Sequence, residues 1–203
     1  MIGRFVLVLC VLGFLGFFVS AANAERVGSE SIWCSDMALN PSGNPYIVYS
    51  YYSYEPPNII IDEGIKLAFK DADGWHYYTL REVIPDSVSI ATSDNYDYFA
   101  DICFYDYKDN KVKFINWAGG EFWPVIEVDN NPNGDSYSSI AIDSNGDEHM
   151  IYAVESEEGS EVRYAVYDGE VQVETVDSGT VESPSSIALT SGYVIPHITY
   201  RGS

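Results

Sequence analysis

An all-β fold, built from a repeated unit of four antiparallel strands, is predicted by three features of this 203-residue sequence. A short motif recurs four times, at intervals of about fifty residues. The segments around it alternate apolar and polar side chains with a period of two, as half-buried strands do. Val, Ile, Tyr and Trp dominate these segments, and Asn, Asp and Gly separate them as turn residues.

The first strand of each unit carries the repeat most clearly. Residues 139–146 read Ser-Ile-Ala-Ile-Asp-Ser-Asn-Gly, and residues 36–43, 89–95 and 186–192 are variants of that motif. The anchoring alanines are Ala38, Ala91, Ala141 and Ala188. They lie 53, 50 and 47 residues apart, which predicts four structurally equivalent strands.

The later strands of the unit follow in the same register. The second strand ends each time on a tyrosine: Tyr49, Tyr105, Tyr152 and Tyr200. A third strand, in which a basic residue alternates with apolar ones, is predicted over residues 65–69, 112–115 and 162–166. A fourth strand is predicted over residues 75–80, 123–128 and 171–176. The Asp-Gly and Gly-Gly pairs between third and fourth strands tolerate the positive φ of tight hairpin turns.

Units of this length and strand count are typical of the blades of a β-propeller, which stack around an axis. The expected fold is a β-propeller-like array of four-stranded antiparallel blades, over residues 35–203. Its blades are predicted at residues 35–84, 87–129 and 137–178, with half a blade at 184–203. Three explanations of the incomplete count stay open. A fragment or prematurely stopped gene is favoured, while a homodimer could complete the ring, or the array could keep an exposed edge strand.

Residues 139–152, followed by residues 162–169, resemble a repeat common in secreted and surface proteins of bacteria and archaea. That family is assigned a sialidase-like (BNR-like) β-propeller architecture. The resemblance covers nearly all of residues 35–203 and implies the architecture without implying an activity. The second unit departs from it, because Asn95–Ala100 replaces the Asn-Gly turn. The Asp-box and the arginine triad of sialidases have no counterpart in the sequence.

The first 24 residues read as a signal peptide. Arg4 precedes an apolar run from Phe5 to Val19, and Ala22-Asn23-Ala24 supplies a cleavage site after Ala24. The run is shorter than the roughly 20 residues of a membrane-spanning helix, although an uncleaved anchor is the alternative. We therefore expect a secreted or cell-surface protein with residues 25–34 as a lead-in and no membrane span in the mature chain.

The mature chain is strongly acidic. Cleavage removes one of 10 basic residues and none of the 31 acidic ones, so the net charge becomes 9 minus 31, or −22. Such a charge repels nucleic acid and anionic membranes and favours cations or basic partners. A solvated acidic surface is the simpler explanation.

Cleavage also removes Cys10 and leaves Cys34 and Cys103. An oxidising compartment permits one disulfide between these two cysteines. Two unpaired thiols are equally compatible with the sequence, which does not give the Cα separation that a bridge requires. A structural zinc site is not expected, because no CxxC motif or Cys–His cluster occurs.

Candidate ligand-binding residues lie in the connections between second and third strands, which are predicted to share one rim with the connections between blades. The first unit has a long connection, residues 51–63, and the later units have short ones. The candidates are Tyr51, Tyr52, Tyr54, Glu55, Asp62, Asp109, Glu155 and Glu157. Tyrosines could stack on sugar rings and carboxylates could hold hydroxyls or a cation, whereas a decorated surface loop is the alternative.

Asp143, Asn145 and Asp147 place oxygen atoms at alternate positions, as a Ca²⁺ site does. A plain Asn-Gly hairpin turn explains the same residues better, and no other cofactor is expected. No nucleophile elbow, His-Glu-x-x-His motif or phosphate-binding glycine loop occurs. The sequence therefore favours a non-catalytic binding or structural module for a carbohydrate, cation or protein. A carbohydrate-active enzyme (a glycoside hydrolase or polysaccharide lyase, or a fragment of one) is the alternative.

Overall fold

The computed structural model describes residues 31–55, 59–81, 83–93, 99–130, 137–156, 159–179, 181–190 and 194–202. The predicted signal peptide lies outside these ranges. All regular secondary structure in the described ranges is β-strand, which confirms the all-β prediction. None of these residues belongs to a helix long and apolar enough to cross a membrane.

The strands form four antiparallel sheets. Sheet 1 contains β1 (Ser31–Leu39), β2 (Pro45–Glu55), β3 (Ile59–Asp71) and β4 (Gly74–Arg81). Sheet 2 contains β5 (Pro85–Thr92), β6 (Phe99–Asp106), β7 (Lys111–Ala118), β8 (Glu121–Phe122) and β9 (Ile126–Asn130). Sheet 3 contains β10 (Ser138–Ile142), β11 (Glu148–Ser156), β12 (Gly159–Tyr167) and β13 (Val171–Gly179). Sheet 4 contains β14 (Val181–Leu189) and β15 (Pro196–Gly202).

The four anchoring alanines occupy equivalent positions. Each lies in the first strand of its sheet and pairs with the second strand. The pairs are Ala38–Tyr46, Ala91–Asp101, Ala141–His149 and Ala188–His197. The repeat predicts this register in sheets 1, 3 and 4, where each pair joins aligned positions. In sheet 2 the second strand is shifted by one residue, so Phe104, not the predicted Tyr105, pairs with the basic residue Lys113 of the third strand.

Neighbouring sheets stack face to face, and their first strands β1, β5, β10 and β14 lie side by side in that order. One apolar core fills each interface, and the core between sheets 1 and 2 contains Tyr46, Phe69 and Trp117. Sheet 2 is covered on both faces, so β6 and β7 are buried almost throughout, whereas β13 is exposed along most of its length. Burying one aromatic side chain such as Trp117 stabilises the fold by about 3 kcal/mol.

A repeated hydrogen bond joins the first strands. Asp36 Oδ2 accepts from the backbone N–H of Ile90 at 3.0 Å. The equivalent hydroxyl of Ser89 accepts from Ile140 N at 3.4 Å, and that of Ser139 accepts from Ile187 N at 3.4 Å. The motif position two residues before each of the first three anchoring alanines therefore links its sheet to the next.

Two predicted segments differ from the structure. The predicted rim loop 51–63 is mostly a continuation of β2 and β3, because Tyr52 pairs with Glu63 and Ser53 pairs with Asp62. Of the predicted strand 123–128, residues 126–128 lie in β9, whereas β8 ends at Phe122, before the predicted start; both strands pair with β7. Pro124 lies at the break, and its missing N–H prevents an uninterrupted ladder.

Candidate functional site

A concave pocket of about 550 Å³ opens where three first strands begin. Its walls come from the starts of β1, β5 and β10 and from the turn after β6. The lining residues are Trp33, Cys34, Ser35, Asp86, Ser87, Val88, Tyr107, Tyr137 and Ser138. The stacking of three sheets therefore brings together residues that lie about fifty positions apart in the chain.

Strand pairing and hydrogen bonds between neighbouring segments set the positions of the pocket walls. Because β5 and β6 are antiparallel and Pro85 pairs with Asp106, the turn at Tyr107 lies at the end where β5 starts. The backbone N–H of Tyr107 donates to Ile84 O at 2.9 Å, which ties the turn to the strand entrance. Across the next interface, the hydroxyls of Ser87 and Ser138 lie 3.3 Å apart.

Three aromatic side chains of the pocket are unusually exposed. Trp33 is 68% exposed, Tyr137 is 49% exposed and Tyr107 is 44% exposed. Tyr107 packs edge to face on the buried Tyr105, with ring centroids 5.1 Å apart. Exposed aromatic rings beside polar groups are the usual lining of a site that holds a small polar molecule.

The polar lining consists of hydroxyls, one carboxyl group and one thiol. Ser35, Ser87 and Ser138 supply hydroxyls, and Asp86 supplies the carboxyl group. The Cys34 thiol lies 3.1 Å from the Ser50 hydroxyl, and burial, reinforced by the charge of Asp86, raises the pKa of Cys34. The thiol is therefore protonated at neutral pH. No Lys or Arg is among the lining residues that the structure describes.

Among the residues predicted on the hairpin of sheet 1, Tyr51 is packed between protein groups. It is only 3% exposed, its hydroxyl donates to Asp62 Oδ1 at 3.2 Å, and Lys66 Nζ lies 4.5 Å from its ring centroid. A ligand contact of Tyr51 stays a prediction. Tyr52 and Asp62 are half-buried in the paired strands.

Asp109 and Glu155 are not among the pocket-lining residues that the structure describes. The carboxylate of Asp109 forms an ion pair with Lys113 Nζ at 2.7 Å, and Glu155 is exposed near the end of β11. The side chains of Tyr54 and Glu55, and all of Glu157, lie outside the described residues. Their role as ligand contacts stays a prediction.

The predicted calcium turn is held by its own hydrogen bonds. Asp143 Oδ1 accepts from the backbone N–H groups of Asn145 at 2.8 Å and Asp147 at 2.9 Å. Burial opposes ionisation of Asp143, but these backbone donors hold its pKa below the usual value. Among the described residues, no cluster of three or more His, Cys, Asp or Glu side chains is arranged to hold a metal. The Asn-Gly turn accounts for these residues, and calcium binding stays a prediction.

Cys34 and Cys103 are free thiols, so the disulfide considered from the sequence is not formed. Cys34 packs against the core between sheets 1 and 2, whereas Cys103 belongs to the core between sheets 2 and 3. Successive strand residues point to opposite faces, and Cys103 therefore faces away from the interface that holds Cys34.

Sequence reasoning missed Trp33, Asp86 and Tyr137 as site residues and treated Tyr107 only as part of a short turn. The first three lie two or three residues before the repeated motif of their units begins, where no residue type repeats. One signal could have found them: equivalent strands of stacked sheets begin at the same end, so residues just before each motif should converge.

No protein-family model and no curated protein matches the chain. Among solved structures, the chain is similar to a fucose lectin from Kordia zhangzhouensis in complex with methyl-fucoside. That match has a TM-score of 0.45 and 14% identity, over 71% of this chain and 99% of the lectin. A mutant of NanB sialidase from Streptococcus pneumoniae matches with a TM-score of 0.46 and 12% identity, over 70% of this chain. This match spans 24% of the sialidase chain, and neither likeness is close enough to transfer a function.

Proposed function

We propose that the protein is a secreted or cell-surface β-propeller module that binds uncharged carbohydrate in the pocket at the starts of β1, β5 and β10. The observation that carries this proposal is the combination of exposed Trp33, Tyr107 and Tyr137 with hydroxyls and one carboxylate in a single concavity. The aromatic faces would pack against the C–H face of a sugar ring. Ser35, Ser87, Ser138 and Asp86 would form hydrogen bonds with its hydroxyls.

The propeller architecture is supported by the repeated contact between first strands. Asp36, Ser89 and Ser139 link successive sheets through the same backbone position, as expected if one rotation relates each sheet to the next. The blades of a propeller are four-stranded sheets that repeat around an axis, with their first strands adjacent to one another.

Charge favours an uncharged ligand over an acidic one. Asp86 lies in the lining without a Lys or Arg among its described members, and the whole chain carries 31 acidic and 10 basic residues. A carboxylated or sulfated sugar would meet repulsion both at the pocket and on approach.

Binding is favoured over hydrolysis by the number of carboxyl groups in the pocket. Glycosidases generally act with two carboxyl groups on either side of the scissile bond. Asp86 is the single Asp or Glu among the lining residues that the structure describes.

A glycan array probed with the mature chain tests the proposal. We expect binding to neutral oligosaccharides, and we expect Trp33→Ala to weaken it about tenfold, equivalent to about 1.4 kcal/mol. Trp123→Ala is the matched control, because Trp123 is 52% exposed and lies outside the pocket lining. Absence of binding to any glycan would refute the proposed function, and binding restricted to acidic glycans would refute its charge selectivity. Turnover of a bound glycan that Asp86→Asn abolishes would establish the enzymatic alternative.

A further inference from the structure

Three polar side chains are buried together between sheets 2 and 3. Asp101 of β6 is 0% exposed, Glu148 of β11 is 5% exposed and Asn116 of β7 is 7% exposed. Asn116 Nδ2 donates to Asp101 Oδ1 at 2.6 Å and to Glu148 Oε1 at 2.8 Å. One amide group therefore joins two carboxyl groups that belong to neighbouring sheets.

The surroundings do not compensate two negative charges. Asp101 Oδ2 is buried and has no hydrogen-bond partner in the described part of the chain. The charged group that acts on Asp101 is the carboxyl of Glu148, and the charged group that acts on Glu148 is the carboxyl of Asp147. Burying a carboxylate without a nearby cation costs free energy of desolvation, and burying two adjacent carboxylates costs more because they also repel each other.

The other titratable groups of this interface are neutral or already paired. Tyr167 of β12 lies opposite Glu148 in the strand pairing. Farther along, Arg163 Nη1 lies 2.7 Å from Asp129 Oδ2, which also accepts from the Tyr152 hydroxyl at 3.0 Å. The remaining groups are Cys103 and Tyr105 in the same core, and His149, which bonds to the Tyr164 hydroxyl.

We infer that Asp101 retains its proton at neutral pH and, with Asn116 and Glu148, forms a proton-dependent latch between sheets 2 and 3, which weakens as the pH rises. This latch is independent of any ligand in the pocket. When one carboxyl is neutral, the Asn116 amide donates to one carboxyl group and one carboxylate, and only one negative charge is buried. With both ionised, like charges face each other in a medium of low polarity, and separation of the two sheets relieves the repulsion.

The direction of the pH effect follows from proton binding. Burial, reinforced by the charge of Glu148, raises the pKa of Asp101 well above its usual value. An unfolded Asp loses its proton near pH 4, so the folded chain holds an additional proton above that pH. The latch is therefore complete below about pH 4, and its contribution is lost as the pH rises through the raised folded-state pKa of Asp101.

Thermal unfolding of the mature chain between pH 4 and pH 9 tests this inference. Asp101→Asn keeps the shape of the neutral side chain and cannot ionise. The difference between the Tm of this variant and the Tm of the wild type should increase by about 3 °C or more between pH 4 and pH 9. The difference isolates the latch, because other carboxyls titrate equally in both proteins. Glu170→Gln, an exposed turn residue, is the charge-matched control and should show no such trend.

A difference that stays constant with pH would overturn the inference. If Asp101→Asn fails to fold, infrared spectroscopy of the wild-type chain decides the question. The C=O stretch of a buried protonated carboxylic acid should be present at neutral pH and disappear reversibly under alkaline conditions, and its absence would overturn the latch. Stabilisation of the wild type by Ca²⁺ at alkaline pH, lost in Glu148→Gln, would also overturn it, because the pair would then hold a cation instead of a proton.

Discussion

The carboxylate of Asp36 in β1 accepts two hydrogen bonds from β5, one from the backbone N–H of Ile90 at 3.0 Å and one from the Ser89 hydroxyl at 2.9 Å. The equivalent serine contacts at the next two interfaces measure 3.4 Å. Because Asp36 is the charged member of the series, its bonds are shorter and should be stronger. The interface between sheets 1 and 2 should therefore depend most on this position.

Replacement of Asp36 by alanine should lower the free energy of unfolding by about 1–3 kcal/mol, because two donors on β5 lose their acceptor. Equilibrium urea unfolding of the mature chain measures this change. Ser139→Ala is the matched control at the equivalent motif position, and its longer bond predicts a smaller loss. Equal losses in the two variants would show that the charge adds nothing.

Gly64 in β3 should not tolerate a side chain. A Cβ at this position would lie 2.2 Å from the backbone oxygen of Leu80, and the backbone φ is +156°. Gly74→Ala is the control, because φ is +116° there but no atom lies within 4 Å of the added Cβ. Strain at unusual φ costs of order 1–3 kcal/mol, and the clash at Gly64 adds to it. Urea unfolding should therefore rank Gly64→Ala below Gly74→Ala in stability, and the opposite order would contradict the close approach of β3 and β4.

Alkylation should distinguish the two thiols from a disulfide. Burial raises the pKa of Cys103 to about 12, and the thiol is fully buried in the core between sheets 2 and 3. Cys34 should react slowly in the folded mature chain, whereas Cys103 should react only after unfolding. Mass spectrometry of chain unfolded without reductant should show two labels. An unlabelled chain that gains two labels after reduction would demonstrate a bridge.

The Asp143 turn should be stabilised by its backbone hydrogen bonds without a metal. Asp143→Ala removes the acceptor for the N–H groups of Asn145 and Asp147, and should lower stability by about 1–2 kcal/mol. Burial, with the charges of Asp143 and Asp168, raises the pKa of Asp147, so the control Asp147→Asn should not destabilise the turn. Calorimetry with and without Ca²⁺ completes the test. A Tm increase with Ca²⁺ in the wild type, absent in Asp143→Ala, would establish a cation site.

Strand positions, and the register of sheets 1, 3 and 4, could be predicted from the sequence because they depend on local patterns. Alternation of apolar and polar residues fixes which side chains share a face, and turn residues fix where a strand reverses. The positions of Ala38, Ala91, Ala141 and Ala188 in first strands therefore follow from the repeat without any knowledge of packing. The sequence instead predicts a loop over residues 51–63, since the polar and aromatic residues there pair across strands without the usual alternation.

The repeat, the strand order within each unit and the acidic character of the chain can be derived from the amino-acid sequence alone. The covered faces of the sheets and the residues that meet across them depend on how the sheets pack together. Trp33, Asp86 and Tyr137 come from three different sheets, and Asp101 meets Glu148 across an interface between two. Contacts of this kind depend on the rotation and separation of one sheet against the next, which no local pattern of residues encodes.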